Sequence, residues 1–372
     1  MKKNLIFSFD RRLLYHSDWT NFLLVLTLSV IGLLFVFSAT YTPVHPVSPL
    51  FCKQLFGVLS GIIIYWAVFL LNHRALHRWG AIAYYLALML LAFTLVKGSI
   101  GMGAQRWINL GIVKFQPSEL AKLFFPAFFT SALVPHERAI HGFTPFLPIL
   151  VILGISALLI LKQPDLGTAL IILFSGILLL WVAQIGRTFF IVLGVTTLLA
   201  APIGWKMLKP YQQKRIVVFL GGGAKNRERY QVEQSRIAIG SGGIWGKGFL
   251  KGTQNQLNFL PENQTDFIFS VIGEEMGFFG AFLVLALFCL LFLRAIQRIT
   301  LLQHVSSQLL ALGLVAPLII AAFINMSMTL GLLPAVGIPL PFITYGITHV
   351  WIGFASMGWY NNIVTHGSML DS

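Results

Sequence analysis

Asp266 stands where a carboxylate is costly to hold. It closes the polar stretch of FLPENQTDFIFSVIGEE, residues 259–275, at the junction between a basic, glycine-rich loop and a long apolar run. An aspartate there can act as a general base, a gate or the cap of the helix that follows. Four more of the twelve acids, Glu119, Asp165, Glu274 and Glu275, lie in or beside apolar runs. Ionisable groups at membrane depth are rare and mark functional sites by default. Glu119 and Lys122, in QPSELAK, are three apart and share a helical face. They read either as a buried ion pair that holds a bundle together or as a polar cavity in which the lysine meets a phosphate. Ser118, after Pro117, is placed to cap the same helix, and Asp165, in KQPDLGTA, to cap another. Glu274 and Glu275 diverge by roughly 100° around a helix and should not meet one partner. Asp266 and Glu274 are eight apart, on nearly one face, which suggests a polar seam descending from the surface.

The glycines and Lys247 of YQVEQSRIAIGSGGIWGKG, residues 230–248, invite a phosphate-cradle reading, but GxxxxGK[ST] does not match. Glycine-rich turns can bind anions without that motif, and they also pack tightly. The segment YQVEQSRIAIG looks amphipathic and is expected along the membrane surface. Residues 331–346 carry Pro334, Pro339 and Pro341 and no charge. They cannot form a regular helix and are expected to line a cavity between the last two spans.

A membrane bundle must position these residues. Of 372 residues 57% are hydrophobic and 10% charged, against about 25% charged in a soluble domain. The fold class is an all-α polytopic membrane protein, one domain over 1–372, with ten spans near 19–40, 55–71, 79–96, 118–133, 146–161, 166–184, 189–205, 267–293, 309–331 and 348–364. The short runs are expected to be tilted or shielded. No internal repeat is evident. Residues 1–18 lack a small-residue cleavage site and read as a retained cytoplasmic tail. Lys2, Lys3, Arg11, Arg12, Arg74, Arg78, Arg138, Arg187, Arg294 and Arg298 fall on one side, against Lys53, Lys97, Arg106, Lys114 and Lys162 on the other. The positive-inside rule then puts both termini in the cytoplasm and the large loop, 206–265, outside. That loop carries ten Lys and Arg residues; it is too long for the rule to govern, and its charge suits an anionic substrate. A net charge of +14 points to anionic lipid rather than nucleic acid. Cys52 and Cys289 supply neither a disulfide framework nor metal-ligand spacing.

Six segments in order resemble the SEDS family of shape, elongation, division and sporulation proteins: GAQRWINLG (103–111), FQPSELAK (115–122), KQPDLGTAL (162–170), YQVEQSRIAIGSGG (230–243), FLPENQTDFIFSVIGEEMG (259–277) and NMSMTLGLLPAVGIPLPF (325–342). The short tails are more like the elongation branch, RodA, than the division branch, FtsW. The resemblance implies a ten-span fold in the bacterial cytoplasmic membrane and peptidoglycan glycosyltransferase activity on lipid II. It also implies a class B penicillin-binding protein (a transpeptidase) as partner, within the elongation machinery. It assigns catalysis to Asp266 and substrate contacts to Arg106, Glu119, Lys122, Gln234 and Ser235. Two departures stand out. Thr344-Tyr345-Gly346-Ile347-Thr348-His349 replaces the family's SYGGSS, and Phe219-Leu220 runs into Gly221-Gly222-Gly223 where an Asp-Pro pair is usual. No cofactor is specified; Mg or Mn could share the charge on a leaving diphosphate, but no ligand cluster marks a metal site. A lipid II flippase, a division-type polymerase and a scaffold for a transpeptidase are the competing readings.

Overall fold

The computed structural model describes residues 11–370 apart from 45, 102–103, 110–113, 134–143, 223–226 and 258. Lys2, Lys3 and Arg138 therefore lie outside the described residues, as do Gly103, Leu110 and Gly111 of the first family segment and Gly223.

A helix stands at each of the ten expected spans. After α1 (Arg11–His16) come α2 (Trp19–Thr40), α3 (Pro49–Leu70), α4 (His73–Lys97), α5 (Pro117–Leu133), α6 (Leu147–Lys162), α7 (Leu166–Val182) and α8 (Arg187–Met207). The stretch between α8 and α12 contributes α9 (Pro210–Phe219), α10 (Arg227–Gly242) and α11 (Thr253–Gln256); α12 (Ile268–Thr300), α13 (Val305–Thr329) and α14 (Ile347–Leu370) complete the chain. Helices α2, α3, α4, α12 and α13 are long and apolar enough to cross a membrane, with α6, α7 and the first part of α8 shorter but apolar. Two helices begin about a turn earlier than hydropathy suggests because local caps start them. Ser48 Oγ accepts Phe51 N–H at 3.1 Å ahead of Pro49, and Asn72 Oδ1 accepts Arg74 N–H at 3.0 Å. Among the described residues the strands form a short antiparallel ribbon between α4 and α5: β1 (Ser99–Gly101), β2 (Ala104–Asn109) and β3 (Lys114–Phe115).

Helix α14 runs through the middle of the bundle, with residues 352–365 buried. It meets α3 at close quarters, because a Cβ on Gly358 would lie 2.5 Å from Tyr65 O and one on Gly61 would lie 2.5 Å from Phe354 Cδ2. Small residues allow this approach where no hydrophobic drive separates helix from lipid.

The helix that follows Asp266, α12, is broken. Gly277 has φ +65 and interrupts the helix one-third of the way along. The break strands backbone groups that a bilayer cannot satisfy. The stretch after α10 folds back to meet them: Lys247 N–H donates to Glu274 O (3.0 Å), Gly248 N–H to Glu275 O (2.9 Å), Phe278 N–H to Gly243 O (2.9 Å) and Phe279 N–H to Ile244 O (3.3 Å). The glycine cluster is thus a backbone-to-backbone strap, the packing alternative to an anion cradle. Both carboxylates beside the break are fully buried and anchor it. Glu274 accepts Lys247 Nζ (2.7 Å), Thr253 Oγ1 (3.2 Å) and the Gln254 and Asn255 amides (2.9 and 3.3 Å). Glu275 accepts Ser38 Oγ (2.5 Å), Asn255 Nδ2 (3.3 Å) and Leu250 N–H (3.2 Å). The two acids do share a partner, Asn255, because its backbone serves one and its side chain the other.

Gly277→Ala tests the strap. A Cβ there would fall 2.6 Å from Ile244 O, and backbone strain at φ +65, ψ −158, a region almost confined to glycine, plus overpacking predicts a loss of ~2–5 kcal/mol. Thermal denaturation should show it, whereas Gly194→Ala, with open space around its Cβ, should leave Tm nearly unchanged.

Candidate active site

Asp266 lies just ahead of α12, whose N-cap is Phe267 without a side-chain cap bond. Helix capping therefore does not account for the aspartate. Asn325 of α13 fixes its backbone: one amide nitrogen donates to Asp266 O at 3.0 Å and to Ile338 O at 2.7 Å. It ties the start of α12 to the extended segment 331–346. Gly337 in that segment has φ +73, and a Cβ on it would lie 3.2 Å from Asp266 Oδ2 and 3.9 Å from Arg215 Nη1. Carboxylate and guanidinium thus face each other over a bare backbone. Among the described residues no donor hydrogen-bonds the carboxylate. Burial pushes its pKa up to about 6, assisted by Glu262 and opposed by Arg215 and Arg106. The group sits in the range where a base is both ionised and effective near neutral pH.

Arg106 on β2 and Asp165 at the head of α7 form the next layer. Arg106 Nη1 lies 3.6 Å from Asp165 Oδ2, and Arg106 Nε is buried without a partner among the described residues. Asp165 caps α7 as expected, accepting Thr168 N–H at 3.1 Å, and also accepts Gln116 Nε2 at 2.7 Å. Ser118 does not cap α5. It lies inside the first turn, is fully buried and accepts Gln116 Nε2 at 2.9 Å.

Glu119 and Lys122 form a separate, inner cluster one turn further along α5. Glu119 Oε1 meets Lys122 Nζ at 2.6 Å and its Oε2 meets His349 Nδ1 at 3.3 Å, so the histidine of the Gly346–His349 departure becomes the third member. The cavity bordering them measures about 10 Å³, room for no more than roughly one water. The inner cluster is a closed ion pair in this conformation.

Helix α10 divides its two candidates. Ser235 is fully buried, hydrogen-bonded to Ser270 Oγ (2.6 Å) and donating to Thr329 O (2.7 Å); it stitches α10 to α12 and α13. Gln234 is half-buried beside it. The polar seam from Asp266 to Glu274 does not form, because Asp266 precedes the helix and Glu274 turns into the strap. Arg215, Glu262, Asn325 and His349 carry no role in the sequence reading. Asn325 opens the segment NMSMTLGLLPAVGIPLPF and Arg215 lies four residues ahead of the Phe219-Leu220 departure, but only the tertiary structure brings them to Asp266.

This arrangement has close relatives. The family model described as "Cell cycle protein" for FtsW, RodA and SpoVE matches residues 18–368. The chain belongs to this family. A curated relative, peptidoglycan glycosyltransferase MrdB of Escherichia coli (strain K12), is 35% identical over 96% of this chain and 95% of its own length. MrdB of Helicobacter pylori (strain ATCC 700392 / 26695) is 35% identical over 91% of this chain and 87% of its own. Among solved structures, Thermus thermophilus rod shape determining protein RodA aligns with TM-score 0.71 and 26% identity over 94% of this chain and 97% of its own. A chain from "Structural coordination of polymerization and crosslinking by a peptidoglycan synthase complex" aligns with TM-score 0.80 and 28% identity, over 94% and 97%. Like the other FtsW/RodA/SpoVE members, this is a multi-pass membrane protein.

Two measurements probe this electrostatic frame. Glu262→Gln should move the acidic limb of the rate–pH profile below about pH 6 and Arg215→Gln should move it above, since Glu262 raises and Arg215 lowers the Asp266 pKa. Glu119→Ala should cost ~3–5 kcal/mol by stranding Lys122, with part recovered on adding Lys122→Met; equal destabilisation by both variants would refute the structural pair.

Proposed function

We propose that this chain is an inverting peptidoglycan glycosyltransferase that polymerises lipid II on the outer face of the cytoplasmic membrane, with Asp266 as general base. The observation that carries the reading is the state of the Asp266 carboxylate: it caps no helix, accepts no hydrogen bond among the described residues, is raised in pKa and shares the bare backbone of Gly337 with Arg215. Such a carboxylate has no structural task of its own. The names of the MrdB relatives supply the reaction class.

In the proposed step the 4-hydroxyl of an acceptor disaccharide attacks the anomeric carbon of the donor. The new C–O bond forms as the bond from that carbon to the diphosphate oxygen breaks, and the electron pair leaves with the polyprenyl diphosphate. The acceptor proton passes to Asp266. An inverting hydrolase needs an acid as well as a base; a diphosphate departs without a strong acid, so one carboxylate suffices. Arg215 and Arg106 stand where negative charge grows, and preorganised cations there stabilise the transition state. Among the described residues no three His, Cys, Asp or Glu side chains converge as metal ligands, and no step here runs through a metal.

The positive-inside count supports ten crossings, both termini in the cytoplasm and residues 206–265 outside. That places Asp266 and the basic loop on one face, with lipid tails able to remain in the bilayer. A class B penicillin-binding transpeptidase within the elongation machinery is the proposed partner, as the solved neighbour's coupling of polymerization and crosslinking suggests.

Asp266→Asn keeps the side-chain volume and removes the base. Purified with its partner, the variant should lose ~10²–10⁴ of its lipid II polymerisation rate. A normal rate refutes the catalytic role; transbilayer movement of lipid II without polymer from the wild type would favour a flippase.

A further inference from the structure

Beside Asp266 lies a cleft of about 220 Å³, far above the ~10–15 Å³ that one water needs. It opens between α9, α10 and the start of the extended segment 331–346. Arg215, Arg229 and Arg236 line it, with Glu233 as the one acid and Phe219 and Leu333 among its apolar walls. Three cations against one carboxylate leave a net charge of +2. The acid is a weak counterweight: Glu233 Oε1 accepts Arg229 Nε at 2.7 Å, but the pair is 49% and 41% exposed to water. The pair engages Nε of Arg229. Gly331 lets the Arg236 stem lie flat against the turn, since a Cβ there would come within 3.1 Å of Arg236 Cδ.

We propose that this cleft seats the diphosphate of the polyprenyl-linked sugar donor, held by Arg215, Arg229 and Arg236, with the first apolar atoms of the lipid against Phe219 and Leu333. The assignment rests on the glycosyltransferase reading above. A diphosphate diester carries two negative charges, which matches the net charge of the cleft. Planar guanidinium forks engage phosphate oxygens in pairs, which suits two adjoining phosphates better than one. Arg215 borders both the cleft and Asp266, so a donor held this way presents its anomeric carbon toward the base. When the carbon–oxygen bond breaks, the electron pair arrives on an oxygen already surrounded by arginine, while the acceptor proton goes to Asp266.

The test uses the full-length protein with its partner in nanodiscs and reads two quantities. The first is binding of undecaprenyl diphosphate, compared with undecaprenyl monophosphate, inorganic diphosphate and phosphatidylglycerol. The second is KM and kcat for lipid II. Arg229→Gln/Arg236→Gln should weaken undecaprenyl diphosphate binding and raise KM by about 10-fold or more, the loss expected for charge-assisted hydrogen bonds, with Arg229→Lys/Arg236→Lys restoring part of both. Both side chains border open space, so the variants should keep the wild-type Tm. Glu233→Gln should tighten diphosphate binding. Unchanged binding and KM in the glutamine variant, or equal affinity for monophosphate or phosphatidylglycerol, overturns the assignment. Asp266→Asn separates the two claims: it should stop polymerisation yet bind undecaprenyl diphosphate normally. If Asp266→Asn still polymerises while the arginine variants lose binding, the base assignment fails and the cleft stands.

Discussion

A backbone that leaves its helix inside an apolar bundle must find partners for every amide and carbonyl it exposes. Two departures of this kind lie at the end of the bundle that carries Asp266. One is the break in α12 at Gly277, met by the strap around residues 243–248. The other is the extended segment 331–346, whose carbonyls and amides are met by side chains. Asn325 binds Ile338 O, Gln54 Nε2 binds Thr344 O at 3.1 Å, and Gln54 Oε1 accepts Gly346 N–H at 3.0 Å. Asp266 precedes the first of these pieces and is tied to the second through Asn325. Asp266 is held between them by its own carbonyl, which leaves its carboxylate without a structural duty.

That freedom is balanced by charge. Burial alone would neutralise the carboxylate and cations alone would make it a poor base. With Arg215 and Arg106 on one side and Glu262 on the other, Asp266 titrates near the middle of this range. The Glu119–Lys122–His349 cluster is different in kind. Its charges satisfy one another in a space too small for a substrate. Gln116, just ahead of the helix that carries Glu119 and Lys122, reaches Asp165, so the cluster can hold the floor of the site in place without touching what binds there.

Hydropathy made the helices legible, and out-of-place acids made the site legible. Asp165 as a cap and Asp266 as a carboxylate in a costly place could both be read from local sequence, whereas the structure alone removes the cap role from Asp266. Partnerships formed by chain reversal could not. Glu274 and Glu275 look like helix-face residues by spacing, yet their partners come from a strap that turns back along α12. Ser235 looked like a substrate contact and is a stitch between three helices, because its depth depends on how α10 packs. Arg215 read as one more outer-loop charge until Gly337 brought it to Asp266. Helical periodicity describes neighbours along one element, and these contacts join residues 19 or more apart in the chain.

The central claim is that Asp266 is the base and that burial has raised it into the working range. Difference infrared spectroscopy of the full-length protein in nanodiscs, with Asp266→Asn as reference, reads that carboxyl directly. The protonated C=O band should vanish with a midpoint at about pH 6, in step with the rise of polymerisation rate. A carboxylate that stays ionised down to pH 4, or a rate profile that ignores its titration, would contradict the account.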